Sequence, residues 1–452
     1  MNNIAPHSEH RQSFLIIGLG QTGLSCARFL VQKGYGVAIM DTREQPPALN
    51  TLQTEFPEVL VNTGGLISDW MQRCDTIVLS PGVDPRLPEI KGARAAGIEI
   101  IGDIELFARH ANAPVVAITG SNGKSTVTTM IAEMAVTAGK QVQVGGNLGT
   151  PALELITQPA PDFYILELSS FQLETVESLN AYTSVVLNVS PDHMDRYETE
   201  QAYYDVKAKI YSGSGVMVIN RDDPIVNSWS MLGREQIGFT LSHPQNNEFG
   251  LIEKDNQSWL AQGEQELLPV NELQVAGKHN VANALAALAL GTSMNLPMSA
   301  MLTAIQNYRG LAHRCYLVAK HQGVRWFDDS KATNVGACLA AIEGLADSGK
   351  IILIAGGEGK DQNFSELTPV LDAHVRAVVL IGRDAQLIAN VVPNHVLKIE
   401  AANMQDAVQK AQKVVQRGEN VLLSPACASF DMFTGYAQRG EVFAQAVREL
   451  IA

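Results

Sequence analysis

Short apolar runs of four to six residues recur along the whole chain, each closed by Gly, Ser or a polar cluster and followed by a helix-spaced stretch. Runs of that length between turn residues predict buried strands, and their alternation with helical patterns predicts largely parallel, doubly wound sheets. The first group opens with Phe14-Leu15-Ile16-Ile17, a Gly-rich turn and a helix reaching about Lys33. Strands at 36–40, 76–79 and 98–101 complete it, which places a domain at 1–102. A second group has strands at 114–118, 163–166, 184–189 and 216–219, then a polar, weakly patterned stretch at 239–275 that reads as a small antiparallel excursion. An Ala/Leu-rich helix from about His279 to Ala289 follows, and the domain 103–310 ends near Gly310. The last group, 311–452, carries strands at 315–319, 324–327, 351–355, 377–381 and 420–423, with helices at 404–416 and 441–450 among those that fill the gaps.

The 452 residues suit about three domains. With 46% hydrophobic and 18% charged residues, a sizeable core is available and disorder is not expected. The net charge of −14 argues against nucleic acid or an anionic membrane as the main partner, so an anionic substrate has to be caught by local cations and backbone amides. Five scattered cysteines without a C-x-x-C pair read as reduced thiols of a cytoplasmic protein. The first twelve residues lack the apolar core of a signal peptide, and no apolar run is long enough for membrane insertion.

The strongest chemical signal is Thr119-Gly120-Ser121-Asn122-Gly123-Lys124-Ser125-Thr126, set between a predicted strand and a helix with Val127, Met130, Ile131 and Met134 on one face. Such a loop wraps backbone N–H groups around phosphates at the positive end of a helix. Lys124 would reach the outer phosphates of ATP, and the Ser125 or Thr126 hydroxyl would hold Mg²⁺. The loop is shorter than G-x-x-x-x-G-K-[ST], since Ile118 stands where the first Gly belongs.

Gly18-x-Gly20-x-x-Gly23 with Asp41 ending the next strand fits a dinucleotide fingerprint, although a tight turn with a strand-end Asp gives the same pattern. Glu167 ends a strand and is a candidate Mg²⁺ ligand, as is His193 among Asp192 and Asp195. The cluster from Asp328 to Asn334 joins a strand to a helix and reads either as ligand-reaching or as a helix cap. Gly356-Gly357-Glu358-Gly359-Lys360 is a further candidate anion site, and Ser424 to Ser429 follows another strand. Cys427 has no base that the sequence locates, so it reads as a core-adjacent thiol.

In this order the motifs resemble the Mur ligases of bacterial peptidoglycan synthesis, over essentially the whole chain. The resemblance rests on Gly18-Leu19-Gly20, Asp41-Thr42-Arg43, the Lys124 loop, Gly145-Gly146-Asn147, Glu167-Leu168-Ser169-Ser170-Phe171-Gln172-Leu173, Asp192-His193-Met194-Asp195-Arg196, Asp329-Ser330-Lys331-Ala332-Thr333-Asn334 and Ser424-Pro425-Ala426-Cys427-Ala428-Ser429. It implies an N-terminal Rossmann-like domain, a central P-loop-type ATPase domain and a C-terminal Rossmann-like domain. The implied activity is ATP-dependent joining of D-glutamate to UDP-N-acetylmuramoyl-L-alanine through an acyl phosphate, by a monomer. By the same resemblance, Lys124, His193 and Lys207 are catalytic, with Lys207 carbamylated. Ser125, Glu167, His193 and Lys207 serve the metal, and Lys209 is the alternative to Lys207. Gln21, Thr22, Asp41, Thr42, Arg43, Gly82, Asn147 and His193 would bind the UDP-linked substrate. ATP would be met by 120–126 with Asn280, Asn283, Arg314 and Asp329, and D-glutamate by Thr333, Lys360, Ser429 and Tyr436. Within the family, the rival is a sister ligase that adds another amino acid; an oxidoreductase built on the first fingerprint leaves the Lys124 loop without a role, and a non-catalytic nucleotide sensor is a third alternative.

Overall fold

The computed structural model describes residues 12–194, 196–275, 277–359 and 362–451, without the side chain at 347. Three sheets account for the strands. The first runs Leu60–Thr63, Gly36–Asp41, Ser13–Ile17, Thr76–Leu79, Glu99–Gly102, all parallel. Chain order reverses between Ser13–Ile17 and Thr76–Leu79, the switch point where open α/β sheets open a crevice at their carboxyl ends. Fully buried Ile16, Ile17 and Ile39 and nearly buried Val78 explain why these runs are continuous rather than alternating.

The second sheet has nine strands. Its parallel centre runs Gln236–Phe239, Val216–Asn220, Thr183–Val186, Val115–Thr119, Phe163–Glu167, Val142–Gly146. The stretch expected as an antiparallel excursion supplies Phe249–Lys254, Gln257–Gln262 and Gln265–Pro269 at the far edge. Phe249–Lys254 and Gln257–Gln262 are joined by Asp255 and Asn256, both at positive φ as a two-residue hairpin requires.

The third sheet runs Tyr316–His321, Val324–Asp328, Asn420–Leu423, Ile351–Ala355, Val375–Leu380, Leu397–Glu400, antiparallel only between the first two. The last helix, Tyr436–Ile451, begins five residues before the start expected from the pattern. Buried Arg439 and Gly440 occupy that added turn, where an apolar periodicity does not register them.

The chain forms two compact units. One comprises residues up to 252 with 261–266 and 285–302, and so contains the first sheet and the parallel centre of the second. The other comprises 253–260, 267–284 and the chain from 303, with the third sheet.

Candidate active site

At the first sheet's switch point, Gly18 (φ +98) turns the chain sharply into the helix Gln21–Gln32. A Cβ on Gly23 would lie 1.9 Å from the Gly18 carbonyl oxygen, so the turn closes only with glycine there. Asp41 is almost fully buried, and its carboxylate accepts from Leu19 N (2.7 Å), Arg43 N (2.8 Å), Arg43 Nε (2.9 Å) and Arg43 Nη2 (2.6 Å). Burial works against its charge, but the Arg43 and Leu19 bonds hold it below the usual carboxylate range. Asp41 therefore fixes the turn and Arg43, with its own lone pairs already engaged. Gln21, Thr42, Arg43 and Gly82 are exposed at the same sheet edge, and Thr22 is half-buried.

In the second sheet, three neighbouring strands end side by side: Phe163–Glu167, Val115–Thr119 and Thr183–Val186. The central one delivers Gly120 (φ +154) and Gly123 (φ +84), and the helix Lys124–Thr137 starts immediately after. Its first-turn amides have no intrahelical acceptor and sit at the positive end of the helix. Val127, Met130, Ile131 and Met134 are buried, as the spacing predicts. Asn188, just past the third strand, grips the loop from beneath: its Oδ1 accepts from Asn122 N (2.9 Å) and its Nδ2 donates to Asn122 O (3.1 Å), while its carbonyl accepts from Ser121 N (2.9 Å). Lys124 Nζ donates to Gly120 O (2.8 Å) and Ser121 O (3.0 Å), folded back along the loop. Ser125 is buried and Thr126 half-buried in the first helical turn.

Glu167 is 2% exposed at its strand end. Its Oε1 accepts from Asn147 Nδ2 at 2.6 Å, whereas the buried Oε2 has no partner among the described residues. A buried carboxylate oxygen left without a donor is costly, and a cation from solution is the simplest group to satisfy it. Lys207, the last-turn residue of the helix Glu200–Ala208, is also 2% exposed. Its Nζ donates to Gly120 O at 3.0 Å, which brings it to the phosphate loop. Burial, helped by the Lys124 charge, lowers its pKa to about 7. Lys209 points elsewhere and donates to Glu174 O at 2.8 Å. His193 is exposed, at φ +57, with its ring 4.7 Å from that of Phe171.

In the other unit, Asp329 is buried, with Oδ2 accepting from Ser424 Oγ (2.7 Å) and Oδ1 from Cys315 N (3.1 Å). Burial raises its pKa to about 7 against those bonds. Within the Asp328–Asn334 cluster, Asn334 caps Val335–Leu345, its side-chain oxygen accepting from Ala337 N (2.8 Å). Arg314 is exposed, Thr333 half-buried and Ser429 buried. Asn283 Nδ2 meets Asn280 Oδ1 at 3.4 Å on one helical face. The Tyr436 carbonyl accepts from Ser330 Oγ (2.7 Å), and Lys331 Nζ lies 5.6 Å from its ring centroid. Lys360 lies outside the described residues. The glycine turn before it departs from a phosphate cradle, because Gly356 N, Glu358 N and Gly359 N are already bonded to Pro425 O, Ala428 O and Asp384 Oδ2. Cys427 is fully buried and its thiol is pushed up to about 12 by burial, which leaves it inert.

Three family models match successive parts of the chain: "Mur ligase MurD-like, N-terminal domain" over 12–102, "Mur ligase middle domain" over 118–291 and "Mur ligase, glutamate ligase domain" over 313–427. The chain belongs to the Mur ligase family. A UDP-N-acetylmuramoylalanine–D-glutamate ligase of Nitrosococcus oceani is 52% identical to it, covering 97% of both chains. Its counterpart in Pseudomonas aeruginosa is 50% identical, over 96% of this chain and 98% of its own. Among solved structures, UDP-N-acetylmuramate-alanine ligase MurC of Thermotoga maritima aligns with a TM-score of 0.57 at 18% identity, over 97% of this chain and all of its own. A pseudomurein peptide ligase type C of Methanothermus fervidus gives 0.54 at 18%, with the same coverage. These two support the three-domain α/β fold of a Mur ligase.

Several residues that organise this Mur ligase escape its sequence pattern. Arg439 is buried, and its guanidinium donates to Ser330 Oγ (2.9 Å), Ser330 O (2.8 Å) and Cys427 O (3.0 Å), tying together two of the motif loops. Tyr203 shares a 3.1 Å hydrogen bond with Ser121 Oγ, and its ring centroid is 4.8 Å from Lys207 Nζ. His313 pairs with buried Asp328 at 2.7 Å. No pattern in the sequence marks them, because Tyr203 lies in a charged helix, Arg439 in the polar first turns of the last helix and His313 in a turn.

Proposed function

We propose that this Mur ligase couples ATP cleavage to joining D-glutamate to UDP-N-acetylmuramoyl-L-alanine, in peptidoglycan assembly. The observation that carries the ATP half is the meeting of Lys124, Lys207 and the Gly120 carbonyl at one strand end, with Glu167 ending the adjacent strand. The identity of the amino acid is supported by near-full-length relatives at 50–52% identity that carry this name. The division into 1–102, 103–310 and 311–452 is the proposed assignment of the UDP-substrate, ATP and amino-acid domains.

The acceptor's alanyl carboxylate oxygen attacks the γ-phosphorus; that O–P bond forms as the β,γ-bridging P–O bond breaks, leaving ADP and an acyl phosphate. The amine of D-glutamate then attacks the acyl carbon and loses a proton, and the carbon–oxygen bond to phosphate breaks. Lys124 leaves its two loop carbonyls to neutralise the transferring phosphoryl group, the electrostatic role that dominates such chemistry. Glu167, whose Oε2 is buried without a partner among the described residues, would hold Mg²⁺ together with Ser125, His193 and a carbamylated Lys207, and the ion when bound would supply charge neutralisation at the phosphates. A lysine whose pKa falls to about 7 has a substantial share of the neutral amine that adds to CO₂ near neutral pH, where an ordinary lysine has almost none.

Gln21, Thr22, Thr42, Arg43 and Gly82 would receive the UDP-linked substrate, with Asp41 acting through Arg43, and Asn147 and His193 facing its muramoyl end. Asn280, Asn283, Arg314 and Asp329 would meet the base and ribose of ATP; Thr333, Lys360, Ser429 and Tyr436 would meet D-glutamate. The enzyme is proposed to work as a cytoplasmic monomer. The test is isotope transfer: substrate labelled with ¹⁸O in the alanyl carboxylate should deliver one ¹⁸O atom to inorganic phosphate. Unlabelled phosphate would exclude the acyl-phosphate route.

A further inference from the structure

The His193 turn is held by a residue that the mechanism leaves unused. Arg196 lies mostly buried and makes a two-pronged ion pair with Glu174, from Nη2 to Oε2 at 2.6 Å and from Nε to Oε1 at 3.2 Å. Its guanidinium also stacks on Phe171, 4.6 Å from the ring centroid, and the Phe171 ring meets His193 at 4.7 Å. Arg196 N and Tyr197 N both donate to the His193 carbonyl, at 2.8 and 3.1 Å, which closes the turn that keeps His193 at φ +57. A non-glycine residue holds that conformation only when its surroundings enforce it.

The same guanidinium reaches the first sheet. Arg196 Nη2 donates to Val83 O at 3.1 Å. Val83 follows exposed Gly82, and its Cγ2 would lie 3.0 Å from a Cβ placed on Gly18, so it packs against the glycine turn at the switch point. Ser80 Oγ donates to Gly18 O (2.8 Å), which joins the two loops. One planar group thus touches the carboxyl-end loop of the first sheet, the Phe171–His193 stack and a nearly buried carboxylate. Only an arginine can do all three, since lysine lacks the planar fork.

We propose that Arg196 is a positioning residue that couples the Gly82–Val83 loop, and with it seating of the UDP-linked substrate, to the orientation of His193. The proposal rests on the reading of His193 as a metal-side residue. Filling of the first-domain crevice fixes Val83, Val83 fixes the guanidinium, and the guanidinium fixes the ring through Phe171.

The test compares Arg196→Met, Arg196→Lys and His193→Ala, with the double variant Arg196→Met/His193→Ala. Binding of the UDP-linked substrate is measured by calorimetry without ATP or Mg²⁺, and steady-state constants are measured beside it. Arg196→Lys keeps a charge opposite Glu174 and so guards against simple misfolding. Both Arg196 variants should weaken UDP-substrate binding and raise the half-saturating Mg²⁺ concentration by about tenfold, with the KM for ATP moving less than about twofold. In the double variant the Mg²⁺ effect should be no larger than in His193→Ala alone, because the coupled path is already cut. Additive effects, or Arg196 variants that lose only melting temperature, overturn the coupling while the site reading stands. A His193→Ala enzyme with unchanged Mg²⁺ dependence overturns the site reading and the proposal with it.

Discussion

Asn147 holds one oxygen of Glu167 at 2.6 Å and leaves the other buried without a partner among the described residues. The amide holds the carboxylate at the end of a strand paired with the one that leads into the phosphate loop. Glu167→Gln keeps the shape and the Asn147 acceptor but removes the charge. It is expected to lower kcat at least about 100-fold, as loss of a charge acting on the transferring group does. Asn147→Ala, which frees the carboxylate to rotate, should cost about tenfold in metal affinity, a typical effect for a group that orients a ligand. Mg²⁺ titrations of turnover check both, and equal activity in Glu167→Gln and the parent enzyme would remove Glu167 from the site.

Lys124→Ala should reduce ligation at least about 100-fold while leaving binding of the UDP-linked substrate unchanged. The lysine donates to two carbonyls of its own loop at the end of the second sheet, whereas the uridine nucleotide is proposed to sit on first-sheet loops. Calorimetric titration of the UDP-linked substrate beside a turnover assay separates the two effects.

Lys207→Ala should abolish turnover, and a small carboxylate such as acetate should restore part of it. Lys209→Ala should retain most activity, because that side chain is committed to the Glu174 carbonyl. ¹³C-bicarbonate should give a carbamate resonance that Lys207→Ala removes. As the pH falls below about 7 the amine becomes increasingly protonated and carbamate formation should fade. A resonance that follows Lys209 would reassign the modification.

Much of this fold is legible in the chain. The strands buried on both faces, such as Ile351–Ala355 and Phe163–Glu167, are apolar without interruption and stop at turn residues. The strands that the pattern misses are Leu60–Thr63, Val142–Gly146 and Leu397–Glu400, each a sheet edge, and Gln236–Phe239, an internal strand that leads into the small edge strands. An edge strand is half exposed, so its polar residues erase the run that marks its neighbours. The third strand of the central sheet ends at Val186 rather than 189, because Asn188 turns its side chain to the phosphate loop. The phosphate loop announces itself, whereas Lys207 in Tyr203-Tyr204-Asp205-Val206-Lys207 looks like a solvated helix residue. Its burial is decided by where the helix packs, which local spacing does not encode.

Asp103 offers a stability test independent of catalysis. It is buried, its Oδ2 accepts from Gln172 Nε2 at 3.0 Å, and burial raises its pKa from 3.8 to about 6 despite that bond. The folded state therefore keeps this proton to higher pH than the unfolded chain does. Its contribution is full below about pH 4 and is lost as pH rises through 6, a change of about 3 kcal/mol. Asp103→Asn should remove that dependence, so the variant gains on the parent between pH 4 and 6. Parallel denaturation curves at pH 4 and 7 would reveal it, and a constant difference would contradict the assignment.

Amino-acid choice and amide formation can be read in a single assay. Purified enzyme with ATP, Mg²⁺ and UDP-N-acetylmuramoyl-L-alanine is offered D-glutamate, L-alanine, meso-diaminopimelate and D-alanyl-D-alanine in turn, and the nucleotide product is weighed by mass spectrometry. One new amide and stoichiometric phosphate are expected with D-glutamate, and no adduct with the other three. An adduct with a different acceptor, or phosphate release without any new amide, would contradict the proposed ligation.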